Sequence, residues 1–149
     1  MMQGRLSSAL ARQLSAESDL SLQDYVVLVA LTETPDGRVR LFALADGLGW
    51  ERSRLSHHAA RMANRGLVRK ERCPSDRRGA FVVVTDRGRQ AIEVAAPGHV
   101  ASVRRLFVDV LGPDELDAIA TASERVLEVL GGLDALAGAD ALDGSGAPG

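Results

Sequence analysis

The sequence has one cysteine, Cys73, in 149 residues. An internal disulfide is therefore excluded, and without a CxxC pair neither a structural zinc nor a redox dithiol is expected. A lone thiol fits a reducing compartment such as the cytoplasm. Aromatic residues make up 3% of the chain against 46% hydrophobic residues, so the core has to be built from Leu, Val, Ile and Ala. The longest apolar run, VVLVAL (26–31), is far below the roughly 20 residues of a membrane span. The N-terminal stretch MMQGRLSSALARQLSAES lacks the apolar segment of a secretory signal. A soluble cytoplasmic protein with no membrane role is expected. Neither a GxGxxG fingerprint nor a P-loop occurs. Ser56, His57 and His58 are adjacent on a helix and cannot converge as nucleophile and base. His57, His58 and His99 have no partner at metal-ligand spacing. No catalytic residue, metal or cofactor is expected, and the chain reads as a non-enzyme.

Lysine is the next shortage, and it points to what is present. Lys70 is the one lysine beside seventeen arginines. The net charge of −2 conceals a strong asymmetry. Residues 50–89 hold eleven basic and four acidic side chains, whereas residues 90–149 hold three and ten. Arginine carries a planar fork suited to phosphate and to guanine edges. Positive charge gathered into one central block, opposed on both flanks, suggests a polyanionic partner. The plainer reading is a solvated face.

Leu6, Leu10 and Leu14 mark one stripe of an N-terminal helix. The segment LSLQDYVVLVAL (20–31) reads as a second helix with Ser21 as N-cap, Leu22, Val26 and Val29 on one face and Tyr25 beside them. TPDG (34–37) is a turn, and RVRL (38–41) suits a short strand. LFALADGLG (41–49) gives a short helix ended by Gly47 and Gly49. The stretch from 52 to 64 gives another, with Leu55, Ala59 and Met62 facing inward. Two short helices joined by a glycine-containing turn describe a helix-turn-helix. Gly66 stops the second helix, residues 67–72 suggest a strand, CPSDRRG (73–79) a turn and AFVVVT (80–85) a returning strand. From Asp86 the helical period resumes through Ile92, Ala95, His99, Val103, Leu106 and Val110, with a kink or break expected at Pro97–Gly98. GPDEL (112–116) restarts a helix to about residue 131, followed by a flexible Gly/Ala/Asp-rich tail over 137–149. The expected fold class is mainly α with a small β-hairpin wing: a winged helix-turn-helix.

A step of 100° per residue places Ser53, Arg54, His57, Ala60, Arg61 and Asn64 on the outer side of helix 52–64, with Ser56 on the flank and His58 at the core edge. Such a polar, basic face suits the major groove of duplex DNA, although an ordinary solvated face has the same pattern. His58 is assigned to packing. At the wing, the tip of a hairpin beside a groove-bound helix reaches the adjacent minor groove, where a narrow groove attracts arginine. Arg78 is placed there, held by Asp76 through the Asp-x-Arg spacing, and Arg77 is placed on the phosphate backbone. Solvated charges on an ordinary turn are the alternative. Arg72 beside Cys73 favours a somewhat acidified thiol, read as structural or incidental.

LSLQDYVVLVAL, LADGLGWERSRLSHHAARMANRGLVRKE and CPSDRRGAFVVVTDRG, in that order, resemble the MarR family of transcription regulators over residues ~20 to ~131. DRRGAFVVVTDRG, about twenty residues after the second helix of the helix-turn-helix, is the most specific part. The resemblance implies a winged-helix homodimer with interleaved N- and C-terminal helices. It implies binding of double-stranded DNA at palindromic operators, usually as a repressor and often relieved by a small phenolic or oxidant effector. By position, Arg78 resembles the family's minor-groove arginine, Asp76 its restraining partner and helix 52–64 its recognition helix. Two features depart from the pattern. The thiol is not near the N-terminus, and the scarcity of aromatics shows no phenolic pocket. A single domain over 1–136 is expected, with a winged-helix core at about 38–90 and dimerisation helices at about 5–18 and 90–131. Leucine stripes at 6–14 and 100–130, too long for one small core to bury, point to the same dimer. A winged-helix protein-interaction module without DNA binding is the rival.

Overall fold

In the computed structural model, residues 1–143 are described, with side chains described for residues 1–76 and 79–131. Two units divide the chain at Arg104/Arg105. The first opens with α1 (Met2–Glu17) and α2 (Leu22–Thr32). α2 begins at a reciprocal capping box. The Ser21 hydroxyl accepts from the Asp24 amide at 3.1 Å, and Asp24 Oδ2 accepts from the Ser21 amide at 3.0 Å. The buried side of α2 is not the expected one. Asp24, Tyr25, Val27, Leu28 and Leu31 are buried, while Leu22, Val26 and Val29 are half-buried. The helix is apolar on nearly every side, so periodicity alone could not select the inner face.

β1 (Arg38–Arg40) leads directly into α3 (Leu41–Leu48), then α4 (Arg52–Asn64), β2 (Val68–Cys73) and β3 (Asp76–Val84). The three strands form an antiparallel sheet in the order β1-β3-β2. At the end of α3, Gly49 takes φ 63°, and the Trp50 amide then reaches the Ala45 carbonyl at 2.9 Å. A side chain would strain that left-handed cap, so glycine is required for the sharp entry to α4. Leu55, Ala59 and Met62 are fully buried beneath α4, in one core cluster with Val68 and Val82 of the sheet and Leu28 and Leu31 of α2. Each large apolar side chain so buried contributes roughly 1.5–3 kcal/mol. The expected seven-residue hairpin turn is shorter in fact. β2 runs to Cys73 and β3 starts at Asp76, which leaves Pro74 and Ser75 between them.

α5 (Asp86–Leu106) follows. Thr85 caps it by accepting from the Gly88 amide at 3.1 Å, while the same hydroxyl donates to the Gly66 carbonyl at 2.6 Å. Pro97 does not break this helix. Proline removes one intrahelical bond, and burial of Ala95 and His99 on either side holds the helix through it. Ile92, Ala95 and His99 are buried as their spacing implied, joined by Ser102, whereas Leu106 is exposed.

The second unit contains a 3₁₀ turn (Val108–Val110) and α6 (Pro113–Asp143). α6 continues past its expected end near residue 131, because its Gly/Ala/Asp stretch keeps Leu and Ala at helical spacing. Residues 144–149 of the expected tail lie outside the described residues. Ile119, Val126, Leu127, Val129 and Leu130 are exposed on α6.

Candidate nucleic-acid interface

α4 spans Arg52–Asn64, the range its periodicity implied. With Leu55, Ala59 and Met62 inward, Ser53, Arg54, His57, Ala60, Arg61 and Asn64 are all exposed. These residues form one polar face with a small alanine at its centre. Ser56 differs. It is half-buried, and Lys70 of β2 donates to its carbonyl at 3.0 Å and to its hydroxyl at 3.3 Å. The single lysine thus ties the hairpin to the helix, and Ser56 is a point of attachment. The guanidinium of Arg54 lies 4.4 Å from the centroid of the Trp50 ring, which restricts its rotamers while leaving its edge free to donate.

His58 is buried, with a role beyond edge packing. Its Nδ1 accepts from Arg61 at 3.0 Å. The neutral ring therefore carries its proton on Nε2, which faces Oδ1 of Asp24 at 3.0 Å. That contact has ion-pair distance but is not aligned as a hydrogen bond. Oδ2 of Asp24 takes the Arg65 guanidinium at 2.7 Å, and Arg65 also donates to the Asp19 carbonyl. Burial pushes the Asp24 carboxyl up, but the Ser21 amide and Arg65 outweigh it and hold it below its ordinary value. Burial pushes His58 down, the Asp24 charge opposes this, and Arg61 and Arg54 reinforce it. The polar cluster sets α4 against the start of α2. It was not visible in the sequence, because Asp24 is far along the chain from its partners. The one hint was an acidic residue inside an otherwise apolar helix. The cluster borders a cleft of about 660 Å³, lined among others by Trp50, Arg54, Arg61 and Arg65.

At the wing, Arg77 and Arg78 fall within β3, just past the turn. Their side chains lie outside the described residues. Asp76 is exposed and leans across its own strand, since a Cβ on Gly79 would stand 3.0 Å from its Oδ2. Cys73 is buried, and its sulfur lies 3.3 Å from the Ser75 hydroxyl, an interaction that lowers the thiol's pKa. Among the described residues no three His, Cys, Asp or Glu side chains gather to hold a metal ion. No described helix is long and apolar enough to cross a membrane.

The profile of the MarR family matches residues 18–79. Transcriptional regulator HosA of Escherichia coli O111:H- is 35% identical over 79 residues, which is 53% of this chain and 57% of that protein. The chain thus matches little more than half the length of these curated relatives. Solved structures extend the likeness. AbsC, a MarR family transcriptional regulator from Streptomyces coelicolor, is 41% identical with a TM-score of 0.83, over 88% of both chains. Sco3205, a MarR family regulator from the same organism solved in complex with DNA, is 39% identical with a TM-score of 0.83, over 87% of this chain and 81% of that one. With a winged helix-turn-helix in place and this likeness along nearly all of its length, the chain belongs to the MarR family.

Proposed function

We propose that this protein is a cytoplasmic, sequence-specific transcription regulator that binds double-stranded DNA as a homodimer and represses at palindromic operators. The observation that carries the reading is the outer face of α4, where six polar or small residues at helical spacing are exposed above a fully buried apolar face. Arg54, His57 and Arg61 read or brace the major groove, and Ser53 contributes from the same face. Arg78, restrained by Asp76, enters the minor groove, and Arg77 meets phosphate. That Sco3205 was solved with DNA supports this assignment.

Exposed Val126, Leu127 and Leu130 on α6, with Val94 and Val100 on α5, favour a second copy of the chain as the partner of these helices. Two-fold symmetry then sets half-sites about one helical turn apart. A small-molecule effector acts by entering the cleft beside His58 and Arg61 and shifting α4. Its lining sets Asp19 and Asp24 beside Arg54, Arg61 and Arg65, and with Arg65 held by Asp24 it is Arg54 and Arg61 that would meet an anionic compound.

The test is duplex binding as a function of salt, with the site first recovered by selection from random duplexes. Affinity falls steeply as salt rises, and Arg78→Ala costs about 1–3 kcal/mol. A flat salt response with a silent Arg78→Ala would instead identify a protein-interaction module.

A further inference from the structure

Phe42 is 42% exposed at the start of α3, in a chain with three phenylalanines. Neither Phe42 nor Phe81 belongs to the buried core cluster. In an aromatic-poor protein this is unexpected, because large rings are the most effective core fillers. Both rings are occupied by arginine. The Arg52 guanidinium, at the first residue of α4, lies 5.7 Å from the Phe42 centroid, and that of Arg40 lies 5.9 Å from the same ring. Arg40 also lies 5.3 Å from the Phe81 centroid, with Arg38 at 3.7 Å from it. The order is Arg52, Phe42, Arg40, Phe81, Arg38, with guanidinium and ring alternating from the recognition helix to the edge strand of the sheet.

The strand register explains the arrangement. Arg40 pairs with Phe81 and Arg38 with Val83, while Val39 pairs with the buried Val82. Alternation therefore sends both arginines and Phe81 to the face away from the core. Glu71, opposite Phe81, takes Arg38 at 3.2 Å and Arg69 at 2.9 Å, which damps that end. Arg40 and Arg52 enter no ion pair among the described residues. A guanidinium beside a ring loses little rotamer freedom on binding and keeps its N–H edge outward, the geometry that suits bidentate phosphate contact.

We propose that this ladder is a phosphate-binding rail, with Arg52 and Arg40 gripping the duplex backbone between the groove read by α4 and the groove reached by the wing. The proposal rests on the DNA-binding reading above and extends the interface to residues outside the recognition helix and the wing tip. Because the rail meets phosphate, it supplies affinity without sequence preference.

The experiment measures affinity and its salt slope for the full chain on the selected operator and on a scrambled duplex of equal length. Arg40→Gln and Arg52→Gln each reduce the slope by about one and weaken binding roughly tenfold, alike on both duplexes. Phe42→Leu preserves charge and apolar bulk but removes the platform, and it weakens both complexes without lowering the melting temperature. The proposal is overturned if the Arg40→Gln/Arg52→Gln double variant retains wild-type affinity and slope. It is equally overturned if these variants weaken the operator alone, since that indicates base reading. A wild-type chain that shows no salt-dependent duplex binding defeats the DNA reading and the rail together. Wild-type binding with an unaffected double variant defeats the rail alone.

Discussion

Nε2 of His58 stands 3.0 Å from Oδ1 of Asp24, which joins the buried edge of α4 to the first turn of α2. Asp24 also closes the capping box and holds Arg65, so one carboxylate organises two helices. Its removal leaves the buried His58 ring and the Ser21 amide without their partner, while Arg65, partly exposed, turns to solvent. Asp24→Ala is expected to cost about 1–3 kcal/mol in urea denaturation, since it removes the capping-box acceptor and leaves buried His58 without its neighbour. Asp24→Asn, which keeps the shape, should cost about half as much. Equal stability of Asp24→Ala and wild type would show that the cluster contributes nothing.

Stability should fall on mild acidification. Burial lowers the pKa of both His58 and His99 below the ordinary value. The unfolded chain therefore binds protons at a higher pH than the folded one. The contribution is fully present above about pH 6.5 and is lost as pH falls through the folded values. Asp24, also lowered, adds a second loss below about pH 4, where the unfolded carboxylate takes up its proton. Urea midpoints between pH 7.5 and 5 should decline, and His99→Gln should flatten the decline. A pH-independent midpoint over that range contradicts the assignment.

Two glycines should respond oppositely to alanine. A Cβ on Gly88 would run into the Leu67 carbonyl oxygen, where α5 crosses the entry to β2. Gly88→Ala is expected to lose about 2–3 kcal/mol by overpacking against backbone. Gly47, inside α3, has open space for 4 Å around the point where a Cβ would stand. Gly47→Ala should gain up to about 1 kcal/mol from helix propensity. Thermal melts of the two variants decide the matter by the sign of their shifts.

Charge placed on the exposed apolar side of α6 should separate the proposed dimer. Leu127 is 65% and Leu130 50% exposed in the single chain. Leu127→Glu with Leu130→Glu is expected to give the monomer mass in sedimentation, with helical circular dichroism retained and operator binding lost. An unchanged dimer would place the subunit contact elsewhere, and a monomeric wild type would remove the dimer altogether.

The most legible parts of the chain were those governed by neighbours in sequence. α4 could be bounded at 52 and 64 because Leu55, Ala59 and Met62 keep the helical period, with Gly49 and Gly66 on either side. Its exposed residues followed from the same 100° step. The wing arginines were recognisable as a motif, but the turn before them is shorter than composition implied, because Asp76 already pairs with Cys73 and β3 begins there. The inner face of α2 was misjudged because the helix is apolar on nearly every side and its acidic residue, Asp24, lies on the buried side.

The sequence by itself determined the helix-turn-helix, the wing and the concentration of arginine between them, since periodicity, glycine stops and local charge act over a few residues. Tertiary structure alone decided that Asp24 faces His58 and Arg65, that Lys70 grips Ser56 and that Phe42 and Phe81 carry arginines on the surface. Most of those pairings join residues distant in the chain, and the near one, Arg40 beside Phe42, is set by the junction of β1 with α3. Their partners are chosen by how helices and strands pack, a choice that local propensity does not encode.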